Sequence, residues 1–134
     1  MSLVTTGDSL AAPRVHGCAG TNGVPELSPS GVPSIGNVGF AVSVSDGRAS
    51  SAAALWLGLP ARIEFGACTL GTTPLVSVNF PLDPLGAATL GLPIPAVPSL
   101  SGVELVAQAV VVDPLGSFQG LLAFTNDLLL VIGR

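Results

Sequence analysis

The sequence predicts an all-β fold: a single β-sandwich of Ig-like or jelly-roll type with about eight or nine strands. Three observations carry this. Twelve prolines and seventeen glycines cut the 134 residues into short apolar runs, spaced as in sandwiches and barrels rather than βαβ units. Several of these runs alternate with a period of two, as a strand with two distinct faces requires. The third is the run 103–113 (VELVAQAVVVD), where valines dominate and an Asp-Pro turn closes the segment. Glu104 and Gln108 lie at helical i,i+4 spacing, but so many β-branched residues favour a strand. We place it at the centre of the domain.

Taken in order, residues 1–16 read as a leader, with a short strand over 3–5. Such a segment either stays free or adds itself to a neighbouring subunit as an exchanged strand. The sandwich domain spans 17–134. Residues 17–23 (GCAGTNG) are too rich in glycine for helix or strand and form a loop. A short strand over 25–30 ends at Gly31 and Pro33. Over 38–45, Val38, Phe40, Val42 and Val44 face one way and Gly39, Ala41, Ser43 and Ser45 the other. Asp46-Gly47 closes that strand, with the glycine expected at positive φ. Residues 51–59 (SAAALWLGL) form a strand whose alanines also suit a helical turn. Strands follow over 62–70, 75–80, 87–94, 103–112, 121–124 and 128–132.

The motif Asp-Pro-Leu-Gly occurs twice, at 83–86 and 113–116. Asp at the first position, Pro at the second and Gly at the fourth suit a type I turn capped by the carboxylate. A calcium site built from both aspartates is the weaker reading. Calcium takes about six to eight oxygens, and the neighbours here are Pro, Leu and Ala.

Composition removes whole classes of function. Only 9% of residues are charged, against roughly 25% in ordinary soluble domains. Lysine is absent, and the basic residues are Arg14, Arg48, Arg62 and Arg134. With a net charge of −4, nucleic acid and anionic membrane surfaces are not expected partners. No apolar run approaches the ~20 residues of a spanning helix, so membrane insertion is not expected either. The start of the chain lacks the basic and apolar regions of a signal peptide; an exported form would be the mature one.

Catalysis finds little support. His16 is the single histidine and sits beside Arg14 and Gly17 in a loop, and no serine lies in a G-x-S-x-G turn. Asp8, Glu26, Asp46, Glu64, Asp83, Glu104, Asp113 and Asp127 mostly fall at turns or strand ends, where capping explains them. The loop 17–23 lacks the Lys-Ser/Thr and the helix of a phosphate cradle. Cys18 and Cys68 with one histidine match no zinc spacing. Neither a metal nor another cofactor is expected. The two cysteines fit one intrachain bridge in an exported domain, or two buried thiols in a cytosolic one.

An ordered set of motifs carries a family resemblance. It runs Gly17-Cys18, Gly23-Val-Pro-Glu-Leu27, Pro33-Ser-Ile-Gly-Asn37 and Phe40, then Leu55-Trp-Leu-Gly58 and Cys68. It continues with Leu92-Pro-Ile-Pro95, Leu100-Ser-Gly-Val-Glu-Leu105, Gln108, Asp113-Pro114, Thr125-Asn-Asp-Leu128 and Ile132-Gly133. Over 17–133 the chain resembles an uncharacterised module common at the C-termini of secreted and surface proteins of planctomycetes and myxobacteria. The resemblance implies an exported β-sandwich with Cys18 and Cys68 bridged, and it carries over no catalytic residue.

Two non-catalytic roles remain. A carbohydrate- or surface-binding module would stack a sugar on an exposed aromatic ring. Tyrosine is absent, however, and Trp56, the only tryptophan, lies within an apolar run. The other role is self-assembly at or outside the cell surface, up to a fibre. Twelve ionised side chains, four basic and eight acidic, cover a small domain poorly. The terminal run 128–132 (LLLVI) is apolar on both faces. Leu121, Leu122, Leu128, Leu130 and Ile132 are therefore the expected contacts with further copies or with a host surface structure.

Overall fold

The computed structural model describes residues 9–134, so the strand expected over 3–5 lies outside the described residues. The chain forms eight strands: β1 (Leu10–Ala12), β2 (Glu26–Ser30), β3 (Ala41–Ser45), β4 (Ala52–Phe65), β5 (Cys68–Pro81), β6 (Ala88–Gly91), β7 (Glu104–Val112) and β8 (Leu122–Val131). A 3-10 turn at Pro98–Leu100 is the one helical element among the described residues. No described helix is long and apolar enough to cross a membrane.

Two antiparallel sheets stack as a sandwich. One has the order β1-β8-β7-β4-β5 and the other β2-β3-β6. As the valine run predicts, β7 is the central strand of the larger sheet. The inner faces share one core. Leu27, Val42 and Val44 of the small sheet, with Phe40 just before β3, meet Ala53, Leu55, Ala107, Ala109, Val111, Leu128 and Leu130 of the large one. Phe40, Val42 and Leu55 are 0% exposed, which makes this layer the main source of hydrophobic stabilisation.

Several boundaries differ from the sequence reading, each for a physical reason. Residues 62–70 are not a separate strand. β4 and β5 pair continuously from Ala52↔Pro81 to Phe65↔Cys68, and the turn falls at Gly66, whose φ of 64° suits glycine. Segments 121–124 and 128–132 are one strand, β8, carrying a bulge. Gln108 pairs with Asp127 and Val110 with Phe124, so Ala109 faces both Thr125 and Asn126. The extra residue reverses the alternation: Phe124 packs outside the sandwich, whereas Leu128 and Leu130 pack inside. At the start of β3, Val38 is 75% exposed, because residues 37–39 form a turn in which Gly39 N–H donates to Asn37 Oδ1.

The turn after β3 also corrects an expectation. Asp46 takes the positive φ, at 60°. Gly47 is needed for space instead, since a Cβ there would strike the Leu82 side chain and crowd the Gly86 carbonyl. Both Asp-Pro-Leu-Gly segments form capped turns, as expected. Asp83 Oδ1 accepts from Leu85 and Ala87 N–H, and Asp113 Oδ1 accepts from Leu115 N–H at 2.9 Å. The leader joins the domain earlier than residue 17, because β1 pairs with β8 of its own chain through Leu10↔Val131.

Candidate interaction surface

The outer face of the large sheet is partly roofed by the chain itself. The tip of the β4–β5 hairpin bends over β7 and β8, and bulges after Leu57 and Pro60 allow the bend. Gln108, wholly buried on β7, fastens it. Its Oε1 accepts from Gly71 N–H at 2.8 Å, and its amide donates to the Thr69 and Thr125 carbonyls. A buried amide with both donors and its acceptor engaged fixes a register, whereas an unsatisfied one would destabilise it.

Arg14 supplies the second fastening. Its guanidinium donates to Asp127 Oδ2 through Nε and Nη2, and Nη2 also donates to the Gly71 carbonyl at 2.7 Å. Asp127 is fully buried, and its Oδ1 accepts the N–H groups of Arg14 and Val15, each at 2.8 Å. Gly71 must lack a side chain, because a Cβ there would collide with the Asp127 carboxylate. Beside this pair the Cys18–Cys68 disulfide closes, with Cα atoms 5.0 Å apart. Leu70, Val110 and Phe124 pack around it with Trp56 and Phe118 at the margin. Trp56 meets Phe124 edge-on at 6.4 Å. The bridge that the resemblance implies is present, and it fits an oxidising compartment.

At the other end, Asp113 holds the loop that precedes β2. Burial alone would raise its pKa. Bonds from Thr21 N–H, the Thr21 hydroxyl and Leu115 N–H, with Arg48 nearby, outweigh that and hold the carboxyl below its ordinary value of 3.8. Asp113 and Asp127 therefore serve the fold, with hydrogen-bond partners of their own. His16 is exposed on the rim of a groove of about 670 Å³ that Arg14, Glu26 and Asn126 also line. Among the described residues no three His, Cys, Asp or Glu gather as a metal-binding group.

The expected interface residues are mostly elsewhere. Leu128, Leu130 and Ile132 are 1%, 4% and 6% exposed and belong to the core between the sheets. The run LLLVI looks double-faced, but the small sheet covers its inner side, while β1 and β7 pair with its two edges. Those three residues are corrected from contact to core. Leu122 is half-buried against the disulfide cluster. Leu121, in the loop before β8, is 59% exposed.

Comparison with protein-family models, characterised proteins and solved structures finds no match.

The uncovered apolar surface lies on β5. Each sheet has two edges, formed by β1 and β5 in one and by β2 and β6 in the other. Three are protected in the usual ways: β1 and β6 are short, and β2 carries Glu26 and Pro29. β5 is 14 residues long, and no charged residue occurs from Gly66 to Leu82. Its first part is masked, since Gln108 and Arg14 bond the Thr69 and Gly71 backbone. Residues 73–79 are exposed without interruption. Leu75 is 65% exposed, Val76 52% and Val78 39%. Among the described residues only β4 pairs with this stretch. Sequence reasoning found the strand but not its exposure. The available signal was its lack of charge, which marks an unguarded edge only once the strand order is known.

Proposed function

We propose that this chain is a non-catalytic structural subunit, exported to the cell surface or beyond, that self-associates into an extracellular assembly. The observation that carries the reading is the open, uncharged edge of β5. Over residues 73–79 that edge has no partner strand among the described residues, and no charge blunts it as is usual in proteins that remain single. The rest of the surface is also short of ionised groups, because Asp113 and Asp127, two of its eight acids, are buried. Export is supported by the disulfide and by the resemblance to a module of secreted and surface proteins.

Sedimentation velocity on the disulfide-bonded chain, from low micromolar to several hundred micromolar, tests the reading. A sedimentation coefficient that rises with concentration, or a discrete oligomer throughout, is expected. A single species of monomer mass across the whole range overturns it.

A further inference from the structure

We propose that the partner of β5 is β5 of a second copy, paired antiparallel about a two-fold axis at Ser77 so that two large sheets become one. The inference rests on the self-association reading and names its surface. Four observations converge on this occupant. First, what is unpaired is a strand edge, and its backbone groups are satisfied by another extended strand. Second, the exposed stretch is free of charge while the chain carries −4. Two identical chains therefore meet with least repulsion along this edge.

Third, the segment is self-complementary. An antiparallel two-fold at Ser77 sets Val76 of each copy opposite Val78 of the other and Ser77 opposite Ser77, while the bulge at Leu75 ends the regular ladder on that side. Val76 and Val78 pair with Leu57 and Leu55 of β4. They therefore lie on the core-facing side of the sheet, where they extend past the cover of the three-stranded sheet. Across the axis these valines bury one another, and β-branched pairs are favourable cross-strand neighbours. The serine hydroxyls meet on the opposite face. Fourth, Pro74 and Pro81 lie on either side of this window. Proline donates no ladder hydrogen bond, so the pairing about Ser77 is confined within residues 75–79 and other registers are disfavoured. The same geometry sets the outcome: a two-fold pair uses the same patch on both chains and closes on itself.

Three variants and the parent chain test this, all with the native disulfide intact. Val76→Lys puts a charge on a half-exposed position, so folding, followed by circular dichroism, is retained. Its dimerisation is expected to weaken by roughly tenfold or more. Ser77→Cys is expected to give a covalent dimer on mild oxidation, while Thr73→Cys, well off the axis, gives none. Parent dimers whose affinity is unchanged by Val76→Lys, or whose Ser77→Cys form does not cross-link, overturn the β5 two-fold. Self-association would then stand through another surface. A parent chain that stays monomeric at all concentrations overturns both readings. If Val76→Lys fails to fold, the two cysteine variants decide alone.

Discussion

β8 and β5 belong to the same sheet and both carry apolar runs, yet they end in opposite situations. β8 ends in LLLV, and its Leu128 and Leu130 are all but inaccessible. β5 carries LVSVNF, milder in composition, yet Leu75, Val76 and Val78 stand in solvent. The difference lies in what each strand has beside it. β8 has strands on both edges, the small sheet inside, and the 14–18 segment outside, held by Asp127 and by the Cys18–Phe124 bridge. β5 has β4 and, along the exposed residues 73–79, no second strand among the described residues. Apolar content says how much a strand gains from being covered. Position in the sheet says whether its own chain does the covering.

Removing the roof over the β8 half is the strongest way to break that contrast. The double variant Cys18→Ala/Cys68→Ala releases a loop closed across 50 residues, at a cost of about 4 kcal/mol in the chain-entropy description. Urea unfolding at equilibrium measures it. Hydrogen exchange should show protection falling first in β8 and in the masked part of β5. A loss under about 1 kcal/mol would mean that Gln108 and Arg14 hold the roof unaided.

The contrast is sharpened by truncating one leucine on each strand. Leu128→Ala leaves a cavity in the closed core and is expected to lower stability by about 3 kcal/mol. Leu75→Ala, on the open edge, is expected to change monomer stability by less than about 0.5 kcal/mol. Similar losses at both positions would show that the exposed half of β5 is already covered in solution.

Arg14→Ala addresses the hold on the 14–18 segment. The variant leaves Asp127 buried with two backbone donors and no counter-charge, while the Arg14 side chain is itself 32% exposed. Breaking a fully buried pair costs about 3–5 kcal/mol, and partial exposure brings the expected loss to about 2–3 kcal/mol. Asp127→Asn with Arg14 intact should cost less, because an exposed arginine recovers water. The order of the two losses, read from urea midpoints, checks the assignment.

How much of this was legible in the sequence follows from the range of each signal. The central strand was readable because the valine run and its Asp-Pro ending are local. The two Asp-Pro-Leu-Gly turns were readable for the same reason. β8 was split in two because the bulge at Thr125–Asn126 interrupts the alternation, and a period-two pattern cannot distinguish a bulge from a strand end. The β4–β5 turn was misplaced because Gly66-Ala67 lacks the usual Asn-Gly or Pro-Gly marker. Arg14 and Asp127 are 113 residues apart, and nothing local announces such a pair. The open edge was least legible of all, since strand order is fixed by the whole chain. Low charge and hydropathy together suggested an exposed apolar surface at 128–132, whereas the structure exposes Leu75, Val76 and Val78 on β5 instead.

The smallest expected effect separates the twin turns. Asp83 accepts both of its hydrogen bonds through Oδ1, so Asp83→Asn keeps them and should be nearly silent. Asp113 uses both oxygens, with Oδ2 taking Thr21 N–H at 2.6 Å and Oδ1 taking the Thr21 hydroxyl and Leu115 N–H. Asp113→Asn would set an amide N–H₂ against the Thr21 N–H, two donors face to face, at a cost of about 1–2 kcal/mol near neutrality. The pH dependence follows from the lowered carboxyl of Asp113. A group whose native pKa lies below its unfolded one stabilises fully above the unfolded value, about pH 4. That contribution is lost as the pH falls through the native pKa. The gap in urea midpoint between the parent and Asp113→Asn should therefore narrow on acidification below about pH 4. A gap that stays constant into strong acid would assign the cost to packing rather than to the charge. Asp113 would then differ from Asp83 only in burial.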